Sequence, residues 1–223
     1  MSNFTVERQN MVESQIRTCA VTSPRLLKAL HEVPREAFVP PSLRGLAYMD
    51  GPLQVEAARN GHAARYLLAP LVFAKLAQLA GIKPTDKVLD VGAATGYSPA
   101  VLARLAASVV ALECDAGLAA VARDALAAQN VNNVEIVVAG LDAGAPDGGP
   151  YDVIFVNGRL ATAPDTLLSQ LAPDGRLVAV MGTDVAAKAR LFQKIGAAVR
   201  EVTAFDAGSP LLPGFEAKHA FAF

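Results

Sequence analysis

The amino-acid sequence predicts an α/β protein built on a doubly wound, mostly parallel sheet. From residue 65 onwards, short apolar runs rich in Val, Ile and Leu alternate with segments of helical pattern. Strands that are buried on both faces of a parallel sheet have this continuous apolar character. A glycine-rich turn follows the first run, as expected where a strand leads into a helix at the ligand-binding edge of such a sheet.

The first 64 residues predict a helical extension that lies outside the sheet. Apolar residues recur at helical spacing over residues 6–19, so we expect a helix there with Cys19 on its buried face. Ser23, which precedes a proline, is typical of a helix start. Because no flexible Gly/Ser-rich linker follows, we expect a single domain made of the extension, residues 1–64, and an α/β core, residues 65–223.

The core begins with a predicted helix over residues 67–80, which Gly81 is suited to end. Further strands are predicted at residues 87–91, 108–113, 134–138, 151–156 and 176–180, and further helices at residues 97–107 and 116–129. Residues 188–195 fit either a helix or a strand, and residues 199–205 have strand composition. Residues 219–223 alternate at period two, which predicts an edge strand. We therefore expect a seven-stranded sheet with an antiparallel C-terminal edge.

Composition and charge exclude several classes of protein. The chain has 223 residues, 52% of them apolar and 18% charged, so disorder is excluded as its main state. A net charge of −1 excludes a large basic surface for nucleic acid. Cys19 and Cys114 are too few for a disulfide framework or a four-ligand zinc site, and we expect no bound metal. A polar N-terminus and the lack of a long apolar run lead us to expect a cytoplasmic protein without membrane contact.

The most informative segment is Val88-Leu-Asp-Val-Gly-Ala-Ala-Thr-Gly-Tyr97, which joins a predicted strand to a predicted helix. The glycines of this turn let a ligand approach the backbone closely, but their spacing lacks the middle glycine of the dinucleotide motif G-x-G-x-x-G. Glu113 ends the next strand, a position from which a carboxylate bonds both hydroxyls of a ribose. Together with Asp90 beside the turn, this pattern favours a nucleoside that carries a positive group, namely S-adenosylmethionine.

The predicted cofactor site extends over neighbouring strand ends. Gly140-Leu-Asp142, after the third strand of the core, is suited to hold an adenine edge, and Asn157 follows the fourth strand. The residues that we predict to bind the cofactor are Asp90, Gly92, Ala93, Ala94, Thr95, Gly96, Tyr97, Glu113, Cys114, Leu141, Asp142 and Asn157.

The glycine-turn segment resembles the cofactor motif of the protein-L-isoaspartate O-methyltransferases, which methylate the abnormal carboxylate of isoaspartyl residues in damaged proteins. Met11-Val-Glu-Ser-Gln-Ile-Arg17, Val33-Pro-Arg-Glu-Ala-Phe-Val39 and Ala47-Tyr-Met-Asp-Gly-Pro-Leu53 are similar to the leader of the same family. The resemblance covers roughly residues 11–215. It implies a Rossmann-like methyltransferase fold, S-adenosylmethionine as cofactor with S-adenosylhomocysteine as product, and a protein or peptide carboxylate as acceptor in protein repair.

The resemblance has a gap ahead of the cofactor motif. Members of the family carry a G-Q-T-I-S-Q-P-like loop, whose Thr and Ser face the acceptor carboxylate and the cofactor. Pro70 aligns with the proline of that loop, which places Tyr66 at the threonine position and Leu68 at the serine position. We predict that Tyr66, Leu68 and Asn157 line the acceptor site. Ala94 likewise replaces the middle glycine of the family's cofactor turn.

A carboxylate acceptor is already ionised at neutral pH, so its methylation needs no general base and we predict no catalytic residue. A hydroxyl or amine acceptor would need a base, for which His62 is a candidate. Arg65 is suited to bind an acceptor carboxylate through two parallel hydrogen bonds, and a surface position at the start of a helix fits the sequence equally well. Two alternatives stay open: a methyltransferase of the same fold with a different acceptor, and a cofactor-binding protein that lost repair activity when Leu68 replaced the serine.

Overall fold

The computed structural model describes residues 3–59, 63–183 and 185–217 of the chain. Its strands are β1 (Leu53–Glu56), β2 (Arg65–Leu67), β3 (Lys87–Val91), β4 (Ser108–Glu113), β5 (Val134–Val138), β6 (Tyr151–Leu160), β7 (Leu171–Met181), β8 (Lys188–Ile195) and β9 (Ala198–Asp206). Its α-helices are α1 (Phe4–Asn10), α2 (Pro24–Glu32), α3 (Pro70–Ala80), α4 (Tyr97–Leu102), α5 (Ala116–Ala128) and α6 (Asp165–Ser169).

Strands β3 to β9 form one seven-stranded sheet in the spatial order β5-β4-β3-β6-β7-β8-β9. The first five strands of this order are parallel, and β8 and β9 are antiparallel to their neighbours. The sequence winds outward from β3 to β5 and then returns to place β6 on the other side of β3. Ligands of open α/β sheets bind at the carboxyl edge beside such a reversal of strand order. The predicted α/β class and antiparallel edge are confirmed.

The antiparallel edge is built from β8 and β9, so the ambiguous segment 188–195 is a strand. The edge strand predicted at residues 219–223 lies outside the described residues. Other elements differ in length from the predictions: α4 ends at Leu102, β6 continues to Leu160 and β7 begins at Leu171. Within the described part of the chain, no helix is long and apolar enough to cross a bilayer.

Two buried apolar clusters cover the two faces of the sheet. Neighbouring residues on a strand alternate between them, with Val88 in the first cluster and Leu89 in the second. The first cluster packs the sheet against α3 and the N-terminal extension. The second cluster lies beneath the C-terminal loop, which contributes Leu212 and Phe215. Both faces of the central strands are therefore covered, as their continuous apolar character requires, whereas the edge strand β9 is mostly exposed.

The N-terminal extension is helical, but it is not one regular helix. After α1, Met11–Ile16 winds as a π-helical turn and Arg17–Cys19 as a 3₁₀ turn. Ile16 is fully buried as predicted, whereas Cys19 is exposed. The expectation of a buried Cys19 was wrong, because the chain leaves the helical path there and turns at Ala20 with φ +66°.

A small antiparallel hairpin of β1 and β2 precedes the core, and sequence patterning did not predict it. The predicted helix over residues 67–80 starts late, at Pro70, because Leu67 instead pairs with Leu53 across the hairpin. A proline is favoured in the first turn of a helix, which explains the start of α3. The hairpin crosses the expected boundary after residue 64 and ties the extension to the core.

Candidate functional site

The glycine turn after β3 forms as the sequence predicts. Gly92 and Gly96 have φ values of +84° and +97°, a region that favours glycine. The backbone N–H groups of Gly92 and Ala93 donate to the carbonyl of Leu112 at 2.9 and 3.1 Å, which holds the turn against β4. Ala94 has a φ of +48°. An alanine therefore adopts the left-handed conformation at the position where the family that this sequence resembles has its middle glycine.

Glu113 lies at the carboxyl end of β4 and is completely buried. Its Oε1 accepts hydrogen bonds from the backbone N–H of Cys114 at 2.9 Å and of Asp115 at 3.2 Å. Its Oε2 accepts from the backbone N–H of Ala94 at 2.7 Å and from Nη2 of Arg65 at 2.8 Å. The chain thus fixes this carboxyl group through three backbone donors and a buried ion pair.

Asp90 is also completely buried, one strand away in β3. Its Oδ2 accepts a hydrogen bond from Oγ of Ser98 at 2.7 Å, and its Oδ1 accepts from Nδ2 of Asn157 at 2.5 Å. Burial raises the pKa of Asp90 to about 7, although both of these hydrogen bonds act to lower it. This carboxyl group therefore links β3, α4 and β6 and titrates near neutral pH.

The side chains of Thr95 and Tyr97 face the N-terminal extension. Oγ1 of Thr95 donates to the carbonyl of Phe38 at 2.6 Å. The ring of Tyr97 packs against Phe38 and Phe73 at centroid distances of 6.0 and 5.7 Å, with the guanidinium of Arg35 4.6 Å from its centroid. Through these side chains the turn anchors the extension, which leaves the backbone of the turn as the part that a cofactor can contact.

Four other predicted residues lie around the same sheet edge. Ala93 is buried in the glycine turn, and Leu141 is buried in the second apolar cluster. Asp142 is exposed and lies beside the C-terminal loop, since a methyl group at Gly214 would lie 3.3 Å from its Oδ1. Burial raises the pKa of the Cys114 thiol to about 11, so this group stays protonated at neutral pH.

The predicted acceptor residues lie together on one side of the glycine turn. Tyr66, Leu68 and Asn157 line a cavity of about 10 Å³ that also contacts Gly92. Leu68 is buried in the first apolar cluster, and its carbonyl accepts a hydrogen bond from Nη2 of Arg35 at 2.8 Å. The structure brings these residues together as predicted, but the wall that they form is mainly apolar. His62, the candidate base, lies outside the described residues.

Two side chains that sequence reasoning did not place in the cofactor crevice fill it. A methyl group at Gly92 would lie 2.8 Å from Cδ1 of Leu212 and 3.1 Å from Nη2 of Arg65. The two cavities on either side have volumes of only about 10 Å³ each. A small-molecule site needs about 300–1,000 Å³. The structure therefore shows the crevice in a closed conformation.

The residues present nevertheless fit S-adenosylmethionine in kind. Gly92 lets a ligand approach its backbone closely, whereas Gly96 lets the turn pack against Ala122 of α5. Glu113 offers a carboxyl group at the strand end beside the turn. What obstructs this fit is the position of two side chains, Arg65 and Leu212, and not the identity of the residues beneath them. The residues of the site are therefore compatible with the expected cofactor once Arg65 and Leu212 move away from the turn.

Comparison with known proteins supports this interpretation. The family model for protein-L-isoaspartate(D-aspartate) O-methyltransferase matches residues 6–206. Protein-L-isoaspartate O-methyltransferase 1 of Rhodopseudomonas palustris is 37% identical over 187 residues, which are 84% of this chain and 74% of that protein. A protein-L-isoaspartate O-methyltransferase of Methanoregula boonei is 37% identical over 195 residues, which are 87% of each chain.

Two solved structures share the fold. A protein-L-isoaspartate O-methyltransferase matches 93% of this chain and 66% of its own, with a TM-score of 0.79 and 24% identity. A Plasmodium falciparum structure described with the same activity, in complex with S-adenosyl-L-homocysteine, matches 95% of this chain and 99% of its own, with a TM-score of 0.74 and 18% identity. Together with the family match over most of the sequence, these findings show that this chain belongs to the protein-L-isoaspartate(D-aspartate) O-methyltransferase family.

Proposed function

We propose that this protein is an S-adenosylmethionine-dependent O-methyltransferase that methylates the carboxylate of damaged aspartyl residues in proteins or peptides. Family membership supports the activity. The observation that carries the proposal is the buried carboxyl group of Glu113, held at the end of β4 beside a glycine turn at the switch point of the sheet. A carboxylate at that place is suited to bind ribose hydroxyls.

Within this site we assign the cofactor to the carboxyl ends of β3, β4, β5 and β6. The proposed contacts are the backbone of the turn, the carboxyl group of Glu113 and the loop after β5. The residues concerned are Asp90, Gly92, Ala93, Ala94, Thr95, Gly96, Tyr97, Glu113, Cys114, Leu141, Asp142 and Asn157. We assign the acceptor to the adjoining cavity of Tyr66, Leu68 and Asn157.

Methyl transfer requires the protein mainly to position the acceptor relative to the cofactor. When bound, the cofactor supplies a methyl group on a sulfonium centre. An acceptor carboxylate is ionised at neutral pH, so the chain has to align it and exclude water rather than remove a proton. Leu68, 4% exposed, and Leu212, 2% exposed, provide apolar walls that would exclude water. Asn157 holds Asp90 in place at the junction of the two cavities.

The decisive experiment measures base-labile methyl transfer from labelled S-adenosylmethionine to a peptide that contains one isoaspartyl residue. We expect labelled methanol to be released after alkaline treatment, and no label on the same peptide with a normal aspartyl residue. Glu113→Ala should weaken cofactor binding by about 1–3 kcal/mol through the lost charged hydrogen bonds. No turnover above a control without enzyme would remove the repair assignment.

A second candidate keeps the cofactor and changes the acceptor. The observation that favours it is the more apolar acceptor wall, in which buried Leu68 replaces the serine of the family and Tyr66, whose hydroxyl donates to Gln54, replaces the threonine. Leu68→Ser restores one hydroxyl. If isoaspartyl methylation appears only in that variant, the natural protein acts on another group; if both proteins methylate the peptide, the second candidate is excluded.

We also propose that the acceptor is a protein or peptide, with no role for nucleic acid, and that the protein works in the cytoplasm, where S-adenosylmethionine is present. The net charge of −1 supports the first point, because phosphate backbones require a basic surface. Residues 1–64 and 65–223 are proposed to act as one domain. The hairpin and the first apolar cluster, which both contain residues from either side of that boundary, support this organisation.

A further inference from the structure

Arg65 is a buried cation that is held at one end only. Its side chain is 4% exposed, and Nη2 donates to Oε2 of Glu113 at 2.8 Å. Its Nε is buried and, among the residues that the structure describes, has no hydrogen-bond partner. A guanidinium has five N–H donors, so this one has unused capacity for a second acceptor. The free Nε is the observation that points to a ligand.

Glu113 does not depend on Arg65 to stay in place. Three backbone N–H groups, those of Ala94, Cys114 and Asp115, already hold both of its oxygens. If a ribose hydroxyl takes the outer position at Oε2, the carboxyl group keeps these three bonds. Arg65 in contrast loses its carboxylate partner, and a buried cation without an anion is strongly unfavourable.

The cavity beside Arg65 adjoins the predicted acceptor cavity and shares Tyr66, Leu68 and Asn157 with it. Arg65, Tyr66, Leu68 and Asn157 line one cavity together with the C-terminal loop, residues 209–212. Tyr66 and Leu68 stand where the resembling family has its two hydroxyl residues. Leu68 has no hydroxyl, and the phenolic hydroxyl of Tyr66 donates to Oε1 of Gln54 instead. In place of those two hydroxyl donors the cavity has Arg65, whose guanidinium can bind a carboxylate through two parallel hydrogen bonds.

We propose that Arg65 exchanges one carboxylate for another: it closes the cofactor crevice on Glu113 in the free protein, and it turns to the acceptor carboxylate when the cofactor occupies Glu113. The inference rests on the proposed function and deepens it. It makes Arg65 the residue that selects an anionic acceptor in place of the family's hydroxyl pair. It also sets an order of binding, with the cofactor first and the acceptor second.

The cofactor half is tested by calorimetric titration with S-adenosylhomocysteine. Arg65→Gln removes the competing cation, so we expect this variant to bind about fivefold more tightly than the natural protein. Arg17→Gln removes an exposed arginine that pairs with Glu13 on the surface, and its affinity should stay within about twofold of the natural protein. If the natural protein binds and Arg65→Gln binds no more tightly, the exchange is refuted while the proposed function stands. If neither binds, both are refuted.

The acceptor half is tested by titrating an isoaspartyl peptide into protein saturated with S-adenosylhomocysteine. We expect binding that is lost without S-adenosylhomocysteine and is weakened at least tenfold by Arg65→Gln. The same peptide with its isoaspartyl carboxylate converted to an amide should bind weakly to both proteins. Equal affinity of the natural protein and Arg65→Gln for the carboxylate peptide would overturn the proposal, as would a lack of binding to the natural protein.

A measurement on the natural sequence keeps the proposal testable if Arg65→Gln folds poorly. In a crystal of the natural protein with S-adenosylhomocysteine, we expect Nη2 of Arg65 to lie more than 4 Å from Oε2 of Glu113, compared with 2.8 Å in the closed conformation. A contact that persists with the ligand bound would show that the crevice opens in another way.

Discussion

Asp90 and Glu113 are two acids near the carboxyl ends of neighbouring strands, and their surroundings differ. Both lie at the carboxyl edge of the sheet, and both are completely buried. Glu113 accepts from three backbone N–H groups and from the guanidinium of Arg65. Asp90 accepts from one hydroxyl and one amide, both neutral side-chain groups.

The difference shows how a folded chain assigns separate tasks to similar groups. Backbone N–H donors cannot rotate away, so the carboxyl group of Glu113 is preorganised to accept from a ligand as soon as Arg65 leaves. Asp90 forms no ion pair in the part of the chain that the structure describes, and burial raises its pKa to about 7. Asp90 is therefore suited to hold the neighbouring elements of the site together, whereas Glu113 is suited to bind the ligand.

The largest effect that this comparison predicts is on stability, in the variant Glu113→Ala. It leaves Arg65 buried without an anion and three backbone N–H groups without an acceptor, so we expect a loss of about 3–5 kcal/mol in the free energy of unfolding. Urea denaturation measures it. Glu135→Ala, on the exposed side of β5, should change stability by less than about 0.5 kcal/mol.

A double variant separates the two contributions. Arg65→Met in the Glu113→Ala background removes the unpaired cation, so much of the lost stability should return. If the double variant is as unstable as Glu113→Ala alone, the backbone donors and not the ion pair account for the loss. A loss below about 1 kcal/mol in Glu113→Ala would contradict the comparison itself.

The second effect concerns the pH dependence of stability and belongs to Asp90. Its pKa is about 7 in the folded protein and near 3.9 when unfolded, so between these values the folded state binds a proton that the unfolded state has released. Stability therefore falls as pH rises through this window. Asp90→Asn removes this titration. The difference in the free energy of unfolding between the variant and the natural protein should therefore shift by about 2–3 kcal/mol in favour of the variant as the pH rises from 5 to 8.

The matched control for this pH series is Asp206→Asn. Asp206 is exposed, and its hydrogen bond and ion pair with Lys188 lower its pKa, so its titration lies below pH 5. Its variant and the natural protein should show parallel stability curves between pH 5 and pH 8. If the stability curve of Asp90→Asn also runs parallel to that of the natural protein, Asp90 is ionised throughout that range and burial does not raise its pKa to about 7.

Local patterns predicted the parts of the fold that depend on neighbouring residues. Apolar runs indicated β3 to β6, and Gly92 and Gly96 indicated the turn, because burial on both faces and positive φ restrict residue choice locally. The hairpin of β1 and β2 was missed because strands of three and four residues carry almost no periodic signal. Residues 188–195 were ambiguous for a related reason, since pattern alone does not separate a short strand from a short helix.

The site was predicted less completely, because its closed form depends on contacts between distant residues. Glu113 and Asp90 were found from their positions at strand ends. The pairing of Arg65 with Glu113 joins residues 48 apart in sequence, and the contact of Leu212 with the glycine turn joins residues still farther apart. Position 65 gave a partial signal, because it lies in the segment that departs from the resembling family. No local pattern indicated which anion Arg65 would bind.

The smallest predicted effect is that of Ser98→Ala, a variant that removes one of the two hydrogen bonds to Asp90. Oγ of Ser98 donates to Oδ2 of Asp90 inside the core, so we expect a loss of about 1 kcal/mol at pH 5. The loss should grow by about half at pH 8, because a hydroxyl stabilises an ionised carboxylate more than a neutral one.

Ser169→Ala is the matched control. It removes an exposed hydroxyl that donates to a nearby carbonyl, and the variant should lose less than about 0.5 kcal/mol at either pH. The extra loss at pH 8 should vanish when Ser98→Ala is combined with Asp90→Asn. If the extra loss persists, Ser98 acts through a group other than Asp90. The hydrogen bond from Ser98 is then not part of the difference between Asp90 and Glu113.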